Sequence, residues 1–278
     1  GVEATDDIEA LLALGADCVV YAPVMADPAV VARILASGAN VVTPLNWFFT
    51  EGRDESAIEA ACEEGGSSLH GTGIHPGGVT ERIPLVISAL SQRITHVRAE
   101  EFSDIRSYDA PGVVGDIMLF GRTPDEAAAS MMPTILGDGF LQSVAMVGHE
   151  LGFALDPEPI VSHEVAVATA PIDSPIGPIA PGLVAAQKFR WVATVRGEPV
   201  ITVATNWFMG EEHLDPAWSF GPEGERFEID VTGDPSTQVT IHGWHPESIA
   251  AGLARNPGIV ATGTHCVSAV PAVVDAEP

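Results

Sequence analysis

The segment LHGTGIHPGG, residues 69–78, holds the residues whose types and spacing most invite a chemical interpretation. It places four glycines after an apolar run, which could cradle a phosphate. Their spacing is G-x-G-x-x-x-G, however, and a dinucleotide fingerprint requires G-x-G-x-x-G. The segment therefore predicts a hinge at the carboxyl end of a parallel strand, where open sheets bind ligands. His75 on this hinge is a candidate catalytic group because imidazole titrates near neutrality, and a hydrogen-bonded linker histidine is the alternative.

Three other motifs that carry chemistry lack their essential residues. Lys188 is the only lysine and lies in VAAQKFRW, so no glycine loop places an amine against a phosphate. The sequence contains no G-x-S-x-G nucleophile elbow. HELGF and HEVAV begin like the helical zinc motif, but Phe153 and Val167 stand where the second histidine is required. We therefore predict structural roles for His149 and His163, and no metal site.

The composition describes an acidic protein of one large or two medium domains. Its 278 residues carry a formal net charge of −26, which disfavours nucleic acid and anionic membranes as partners. No apolar run approaches the roughly 18 residues that span a bilayer, and the acidic opening GVEATDDIEALLALG is unlike a signal peptide. Cys18, Cys62 and Cys266 are scattered without metal spacing, which is typical of reduced thiols. We expect a cytoplasmic protein.

The first 76 residues alternate strands with helices. CVVYAP (18–23) and ANVVTP (39–44) are β-branched runs typical of strands buried on both faces. DPAVVARILASG between them predicts a helix with Asp27 as its cap and Pro28 at its first position. A helix in RDESAIEAACEEGG and a strand in SSLHG complete the pattern. Short connections of this kind predict a parallel sheet with right-handed crossovers, which is half of a doubly wound fold.

The rest of the chain changes to helices and then mostly to strands. TERIPLVISALSQR predicts an amphipathic helix, THVRAEEFSDI a strand, and RTPDEAAASM a helix capped by Thr123. From 160 to 245, β-branched and aromatic runs alternate with turn signals, which predicts an antiparallel sheet with helices on one face. The end of the chain returns to helix. The predicted fold class is α/β, with a partial doubly wound (Rossmann-type) parallel sheet plus an α+β domain whose sheet is mostly antiparallel.

Three segments carry a resemblance to a known family: GTGIHPGG with its following helix, APIDSPIGPIAPGLVAAQ, and NPGIVATGTHCVSAVP. They resemble the NAD(P)-dependent amine dehydrogenase and 2,4-diaminopentanoate dehydrogenase family, which is related to dihydrodipicolinate reductase. The resemblance covers nearly the whole chain. It implies a partial dinucleotide-binding domain (1–76) without its first strands and glycine-rich loop. It also implies an α+β substrate and dimerisation domain (77–250) and a C-terminal helix that returns to the nucleotide domain (251–278).

The resemblance also implies where the cofactor and the catalytic group lie. The catalytic carboxylate of the family follows the second strand, where this chain reads VVTPLNWFF and has Asn46. Asparagine cannot act as a general base, so either Asn46 keeps part of the role or His75 replaces the carboxylate. The positions expected to surround the cofactor are Ala22, Pro23, Thr43, Gly73, Ile74 and Ser268.

Other polar and aromatic side chains have more than one interpretation. Thr264 and His265 in TGTHCVSAVP are candidate substrate contacts, although a core or interface position for His265 is the alternative. RSYDAPG lacks the lysine and serine of the dihydrodipicolinate reductase motif, which disfavours a diacid substrate and makes Asp109 a loop acid. A last group could line an apolar pocket, the core or a dimer interface: Trp207, Phe208, Met209 and Trp218.

Together these observations predict an NAD(P)-dependent oxidoreductase that transfers hydride between nicotinamide and a small, fairly apolar ketone/amine pair. The resemblance implies reductive amination or oxidative deamination by a homodimer. One alternative is an imine or carbonyl reductase without ammonia chemistry. The other is a non-catalytic, dimerising ligand-binding module. The choice between NAD and NADP stays open, because the residue that reads the ribose is expected in the segment that this chain lacks.

Overall fold

A small parallel sheet organises the first part of the chain. The computed structural model describes residues 4–221, 224–243 and 255–277. The strand order of the sheet is β1-β2-β3, and both pairs are parallel. The predicted alternation of strands and helices is confirmed. In chain order the elements are α1 (Ile8–Leu12), β1 (Cys18–Val20), α2 (Pro28–Ala36), β2 (Asn40–Thr43), α3 (Ser56–Gly65) and β3 (Leu69–Gly71).

Helix α2 begins where its sequence signals place it. The side chain of Asp27 accepts a hydrogen bond from the amide of Ala29, and Pro28 occupies the first helical position. This arrangement satisfies a backbone donor that a helix start otherwise leaves unpaired. Val31 and Leu35 are fully buried and belong to the same hydrophobic cluster as Val41 of β2. The cap and the apolar spacing therefore fix both the start of the helix and the face that it packs on the sheet.

The chain leaves this sheet through a kinked π-helical segment, Ile74–Arg82, followed by α4 (Ile83–Ser88). His75, Pro76 and Gly77 have non-helical backbone angles within it. Gly77 has a φ of +120°, a region that side chains rarely allow and glycine adopts freely. Residues 77–81 are buried. The predicted hinge is thus a packed turn in the protein interior.

A mixed sheet of seven strands forms the second part of the chain. Its order is β10-β9-β4-β7-β6-β5-β8. Among the strands that the structure describes here, β4 and β7 alone pair in parallel, so the predicted mostly antiparallel sheet is confirmed. The strands are β4 (Gln92–Asp104), β5 (Ile160–Ala168), β6 (Val184–Val195), β7 (Glu198–Phe208), β8 (Leu214–Asp215), β9 (Arg226–Asp234) and β10 (Thr237–His242).

Several helical segments lie between β4 and β5. A 3-10 turn (Ile105–Ser107) and a π-helical turn (Val113–Ile117) follow β4. Helix α5 (Pro124–Ala128) begins after the predicted cap Thr123, and Glu126 completes a capping box with it.

Helix α6 (Met132–Leu151) is the long element that the sequence analysis did not predict. It packs Phe140 and Val144 in the cluster that contains Trp191 of β6. Gly137 permits this contact, because a Cβ there would lie 2.9 Å from the Trp191 indole nitrogen. Helix α6 therefore covers the face of the seven-stranded sheet that carries Trp191, with its backbone close to that side chain.

Helix α7 (Pro257–Val274) packs against the first sheet and has Asn256 as its cap. Cys266 and Val273 pack against Val42 of β2. The part of the helix prediction on residues 244–254 lies outside the described residues. By length and composition α7 is long and apolar enough to cross a membrane, so the expectation that no segment reaches that length is wrong.

Replacing Gly71 with alanine is expected to destabilise the fold. A Cβ there would lie 2.1 Å from the carbonyl oxygen of Asn46 and 2.3 Å from that of Trp47, and backbone atoms cannot move aside cheaply. We expect the free energy of unfolding in urea to fall by about 3 kcal/mol or more. Gly112→Ala is the matched control, since no atom lies within 4 Å of its Cβ position. Equal stabilities of the two variants would contradict the prediction.

Candidate active site

A cavity of about 560 Å³ opens at the carboxyl ends of the parallel strands, between the two sheets. One wall comes from the strand ends of the first sheet, and the opposite wall comes from β4, β7 and the turns after β4. Helices α6 and α7 close the sides. The residues that line it are Val20, Ala22, Pro44, Ile74, His75, Glu101, Ser103, Ile105, Tyr108, Val113, Ile117, Met118, Met132, Leu136, Trp207, Asn256, Gly258, Ile259, Thr262, Gly263 and Cys266.

His75 is the sequence-predicted catalytic candidate that the structure places in this cavity. Its Nε2 lies 3.1 Å from the carbonyl oxygen of Ala204, so Nε2 carries the proton and donates. Its Nδ1 is buried and has no hydrogen-bond partner. Burial lowers the pKa of His75 to about 3, although the bond to Ala204 raises it slightly. The expectation that this imidazole titrates near neutrality is therefore wrong: it is a neutral ring with one free acceptor.

Glu101 supplies the carboxyl group of the cavity. Its Oε2 accepts a hydrogen bond from Thr205 at 3.2 Å, and the nearby Trp207 side chain also helps to lower the pKa of the carboxyl group. Burial raises the pKa of Glu101 to about 7, and the nearby Glu225 carboxyl adds to the shift. A carboxyl group with such a pKa can accept and release a proton at neutral pH, which a general acid–base catalyst must do.

A polar cluster surrounds the first turn of α7 beside Glu101. The Asn256 amide nitrogen lies 3.2 Å from the hydroxyl oxygens of Ser103 and Ser107, and 3.5 Å from Glu225 Oε1. Ser107 also donates to Glu225 at 3.0 Å. Burial raises the pKa of Glu225 to about 7. These bonds anchor the start of α7 to β4, to the turn after it and to the residue before β9, and they fix the cavity wall next to Glu101.

The rest of the cavity is apolar. The turns after β4 and the start of α6 contribute Ile105, Val113, Ile117, Met118, Met132 and Leu136. The polar groups thus occupy a limited part of the wall. Covering this apolar lining with apolar atoms removes it from water, which is favourable. The lining therefore favours a largely apolar ligand.

Asn46, the other predicted catalytic residue, is half-buried and lies outside the cavity lining. Its Oδ1 accepts a hydrogen bond from Gln142 Nε2 on α6. Gln142 Oε1 in turn accepts from the backbone amides of Phe48 and Phe49 at 3.0 and 3.3 Å. These bonds fix the orientation of both side-chain amides, because carbonyl oxygens accept and amide nitrogens donate. In this structure Asn46 connects the loop after β2 to α6.

The predicted cofactor and substrate positions are spread over three environments. Ala22 and Ile74 line the cavity, whereas Pro23, Thr264 and Ser268 are exposed and lie outside its lining. Thr43 and Gly73 are buried beside it, and the carbonyl of Thr43 accepts from the amide of Thr72 at 2.8 Å. Roles in binding stay predictions for all of these positions.

Two further groups of predicted residues take up structural positions. His265 Nδ1 lies 2.9 Å from Thr72 Oγ1, which links α7 to the end of β3. Trp207 lines the cavity, whereas Trp218 stacks with the Lys188 amine 4.1 Å from its ring centroid, away from the cavity lining. Phe208 and Met209 belong to the core.

Within residues 4–221, 224–243 and 255–277, no three His, Cys, Asp or Glu side chains gather in a metal-binding group.

Sequence reasoning missed Glu101, Ser103, Tyr108 and Asn256. One signal for Glu101 was available. In RAEEFSD the alternation of β4 places Ala99, Glu101 and Ser103 on one face of the strand, and Val97 and Ala99 on that face are buried. A carboxyl group on the apolar face of a strand costs solvation free energy, so it commonly marks a functional position.

The strand-end side of the cavity fits the nicotinamide end of a dinucleotide. Ala22, Pro44 and Ile74 present small or apolar surfaces there, against which a flat ring can lie. His75 lies in the same wall, and its buried Nδ1 has no hydrogen-bond partner in the structure. Crevices at the carboxyl ends of parallel strands are the usual dinucleotide sites of such sheets.

Comparison with known proteins agrees with this class of fold and site, although no family model matches the chain. The chain is 32% identical to an amine dehydrogenase of Streptomyces virginiae over 298 aligned positions, which cover all of this chain and 79% of that protein. It is 25% identical to a 2,4-diaminopentanoate dehydrogenase of Acetoanaerobium sticklandii, covering 80% of this chain and 58% of that one. The structure of an amine dehydrogenase from Mycobacterium smegmatis superposes with a TM-score of 0.70 at 19% identity, covering 99% and 77% of the two chains.

The fold and the site define an α/β dehydrogenase with a cleft at the ends of a parallel sheet. The 32% identity over the full chain makes the assignment specific. The chain belongs to the amine dehydrogenase family, a family of NAD(P)-dependent oxidoreductases.

The raised pKa of Glu101 predicts a pH-dependent cost to stability. Between pH 4.5 and 7 the unfolded chain loses the Glu101 proton while the folded chain keeps it, so this group lowers stability as pH rises. Glu101→Gln removes the titration. We expect the free energy of unfolding of Glu101→Gln, minus that of the natural protein, to be about 2 kcal/mol larger at pH 8 than at pH 5, so the variant gains stability relative to the natural protein as pH rises. Glu164→Gln on the same sheet is the control, and an equal difference at both pH values for Glu101→Gln would contradict the prediction.

Proposed function

We propose that the protein is an NAD(P)-dependent amine dehydrogenase that interconverts a small, apolar amine with its ketone and ammonia. Glu101 is the acid–base group, and His75 is the hydrogen-bond acceptor that orients the substrate nitrogen. Ala22 and Ile74 lie against the nicotinamide.

The observation that carries this proposal is the pairing of Glu101 with His75 in one cavity. The two side chains bond to consecutive residues of β7, His75 to Ala204 and Glu101 to Thr205. Both side chains are therefore anchored to neighbouring residues of the same strand. His75 Nδ1 and the Glu101 carboxylate are both acceptors, and together they match a nitrogen that carries two or more hydrogens.

The charge of the cavity favours an amine over an acid. No arginine or lysine is among the described residues that line it. A substrate carboxylate would meet Glu101 without a cation to bind it, because carboxylates are usually held by arginine. An ammonium group, in contrast, satisfies the Glu101 carboxylate. The apolar lining formed by residues such as Met118 and Leu136 accommodates the hydrocarbon part of the molecule.

The residues of the chain supply binding, orientation and proton transfer. In the oxidative direction the Glu101 carboxylate takes a proton from the substrate nitrogen, while His75 Nδ1 accepts a second N–H and holds the nitrogen in place. In the reductive direction the protonated carboxyl group donates to the oxygen that leaves as water. The nicotinamide, when bound, accepts or supplies the hydride at the substrate carbon. After hydride loss a water molecule adds to the iminium carbon and ammonia leaves, which gives the ketone; the reductive direction reverses these steps. The apolar wall limits bulk water around that carbon.

Other features support the cellular setting of this activity. Cys18, Cys62 and Cys266 are all free thiols in the structure, in keeping with a reducing compartment. We therefore place the enzyme in the cytoplasm.

The test follows cofactor oxidation with a panel of small ketones, with and without ammonium. We expect turnover that requires ammonium, and in reverse an amine oxidation whose kcat rises with pH through about 7, where Glu101 ionises. Glu101→Gln should lower kcat about 100-fold or more and remove this limb of the pH profile. Glu164→Gln, which places the same change on the opposite face of the sheet, should leave kcat unchanged.

Three results would contradict the proposal in different ways. Turnover that is indifferent to ammonium would identify an imine or carbonyl reductase. Absence of both turnover and cofactor binding would favour a non-catalytic ligand-binding module. An unaltered pH profile in Glu101→Gln would remove Glu101 from the chemistry while leaving the activity in place.

We also propose that two copies associate through the face of the seven-stranded sheet opposite α6. Arg98 of β4 forms an ion pair with Glu228 at 2.8 Å and a hydrogen bond with Asp230, and Arg190 contacts Glu100 at 3.2 Å. Positive and negative groups therefore alternate on this face, in a chain whose net charge is −26. A second copy can approach here with little net repulsion, whereas most of the surface repels it.

The association is tested by measuring mass in solution. We expect about 58 kDa, twice the 29.0 kDa of the chain. Arg190→Glu places a negative charge beside Glu100 and should shift the protein towards the monomer. Arg196→Glu, in the turn between β6 and β7, makes the same charge change elsewhere and should leave the mass unaltered. A monomeric natural protein would exclude the proposal.

A further inference from the structure

The turn that carries His75 is connected to α6 by a chain of hydrogen bonds that the proposed chemistry does not use. The amide of Gly77 donates to Thr80 Oγ1 at 2.7 Å, and the Thr80 hydroxyl donates to Ser143 Oγ at 3.1 Å. The Ser143 hydroxyl donates to Glu81 Oε1 at 2.5 Å. All four residues are buried, and Glu81 lies outside the cavity lining.

The direction of these bonds is fixed by the number of protons available. Each hydroxyl has one proton, and Ser143 directs its proton to Glu81, so Ser143 can only accept from Thr80. A Glu81 oxygen accepts whether or not the carboxyl group is protonated, so the bonds persist although burial raises the pKa of Glu81 to about 7. Removing the Ser143 hydroxyl therefore leaves Glu81 without its donor and Thr80 with only its bonds to the Gly77 backbone.

The same helix contacts the His75 turn at two further points. The ring of Phe140 lies 4.7 Å from the His75 ring, centroid to centroid. Gly139 permits close packing, because a Cβ there would lie 3.1 Å from Pro76 Cγ. Phe140 and Ser143 are three residues apart and so share one face of α6. Through this face, Phe140 contacts the His75 ring, and Ser143 accepts the hydrogen bond from Thr80, which in turn bonds to the backbone amide of Gly77.

We propose that Ser143, acting through Thr80 and Glu81, is a positioning residue for His75. It fixes the turn at Gly77, and with it the bond from His75 to Ala204 that orients the imidazole in the cavity wall and leaves its buried Nδ1 unpaired. The proposal rests on the proposed function, in which Nδ1 receives an N–H of the substrate nitrogen. Ser143 touches neither substrate nor cofactor and affects the reaction only through the orientation of the imidazole.

The kinetic test compares Ser143→Ala with a control of equal chemistry. Ser88→Ala also removes a buried hydroxyl, which donates to the Leu85 carbonyl at 2.7 Å on α4, outside the cavity lining. We expect kcat for amine oxidation to fall about 10-fold in Ser143→Ala, because small displacements of an orienting group are costly. In Ser88→Ala it should stay within about twofold of the natural protein.

A double-mutant cycle separates positioning from general destabilisation. If Ser143 acts through His75, then Ser143→Ala should cause no further loss of kcat in a protein that already carries His75→Ala. Glu81→Gln keeps an oxygen that accepts from Ser143 and should retain most of the activity, whereas Glu81→Met should reproduce the Ser143→Ala loss. Additive losses in the cycle, or an equal loss in Ser88→Ala, would overturn the proposal.

A second readout does not require turnover. In the natural protein the nitrogen NMR spectrum should show His75 with a protonated Nε2 and a bare Nδ1, a signal identified by its disappearance in His75→Ala. In Ser143→Ala the two nitrogens should move towards averaged shifts as the ring loses its fixed orientation. An unchanged His75 signal would overturn the positioning role. Failure of amine-dependent turnover in the natural protein would overturn the proposed function alone.

Discussion

Two adjacent side chains of α6 hold together the parts of the chain that form the cavity. Gln142 bonds to Asn46 and to the loop after β2, while Ser143 bonds into the turn that follows β3. Both side chains are buried, so a lost bond would leave unpaired polar groups in the interior. Helix α6, which packs on the second sheet, thereby also fixes the position of the strand ends of the first sheet. The distance between these two walls sets the shape of the cavity.

Burial acts on the two titratable groups of the cavity in opposite directions. It keeps His75 neutral by lowering its pKa, and it keeps a proton on Glu101 up to about pH 7 by raising its pKa. Desolvation disfavours the charged form in both cases, which is a cation for one group and an anion for the other. The result is a site with one constant acceptor and one group that changes protonation at neutral pH. A single physical effect thus separates an orienting role from a proton-transfer role.

The sequence predicted the elements with strong local signals. The cap Asp27 and Pro28 located α2, and β-branched runs located the strands. Helix α6 was missed because Gly137 and two other glycines weaken its local pattern, and they are explained only by the neighbours that approach them. The site was predicted in part, since His75 lies in the cavity. Glu101 was missed because it depends on which face of β4 is covered, and the pairing of distant strands decides that.

The buried carboxyl groups also alter the meaning of the charge of this protein. The formal value of −26 counts every acidic side chain as ionised. Glu81, Glu101 and Glu225 each have a pKa of about 7, so together they retain about one and a half protons at pH 7. These three carboxyl groups therefore titrate in the neutral range in the folded protein, where the same groups in the unfolded chain are already ionised. A cation that binds beside these groups would release protons into the solvent.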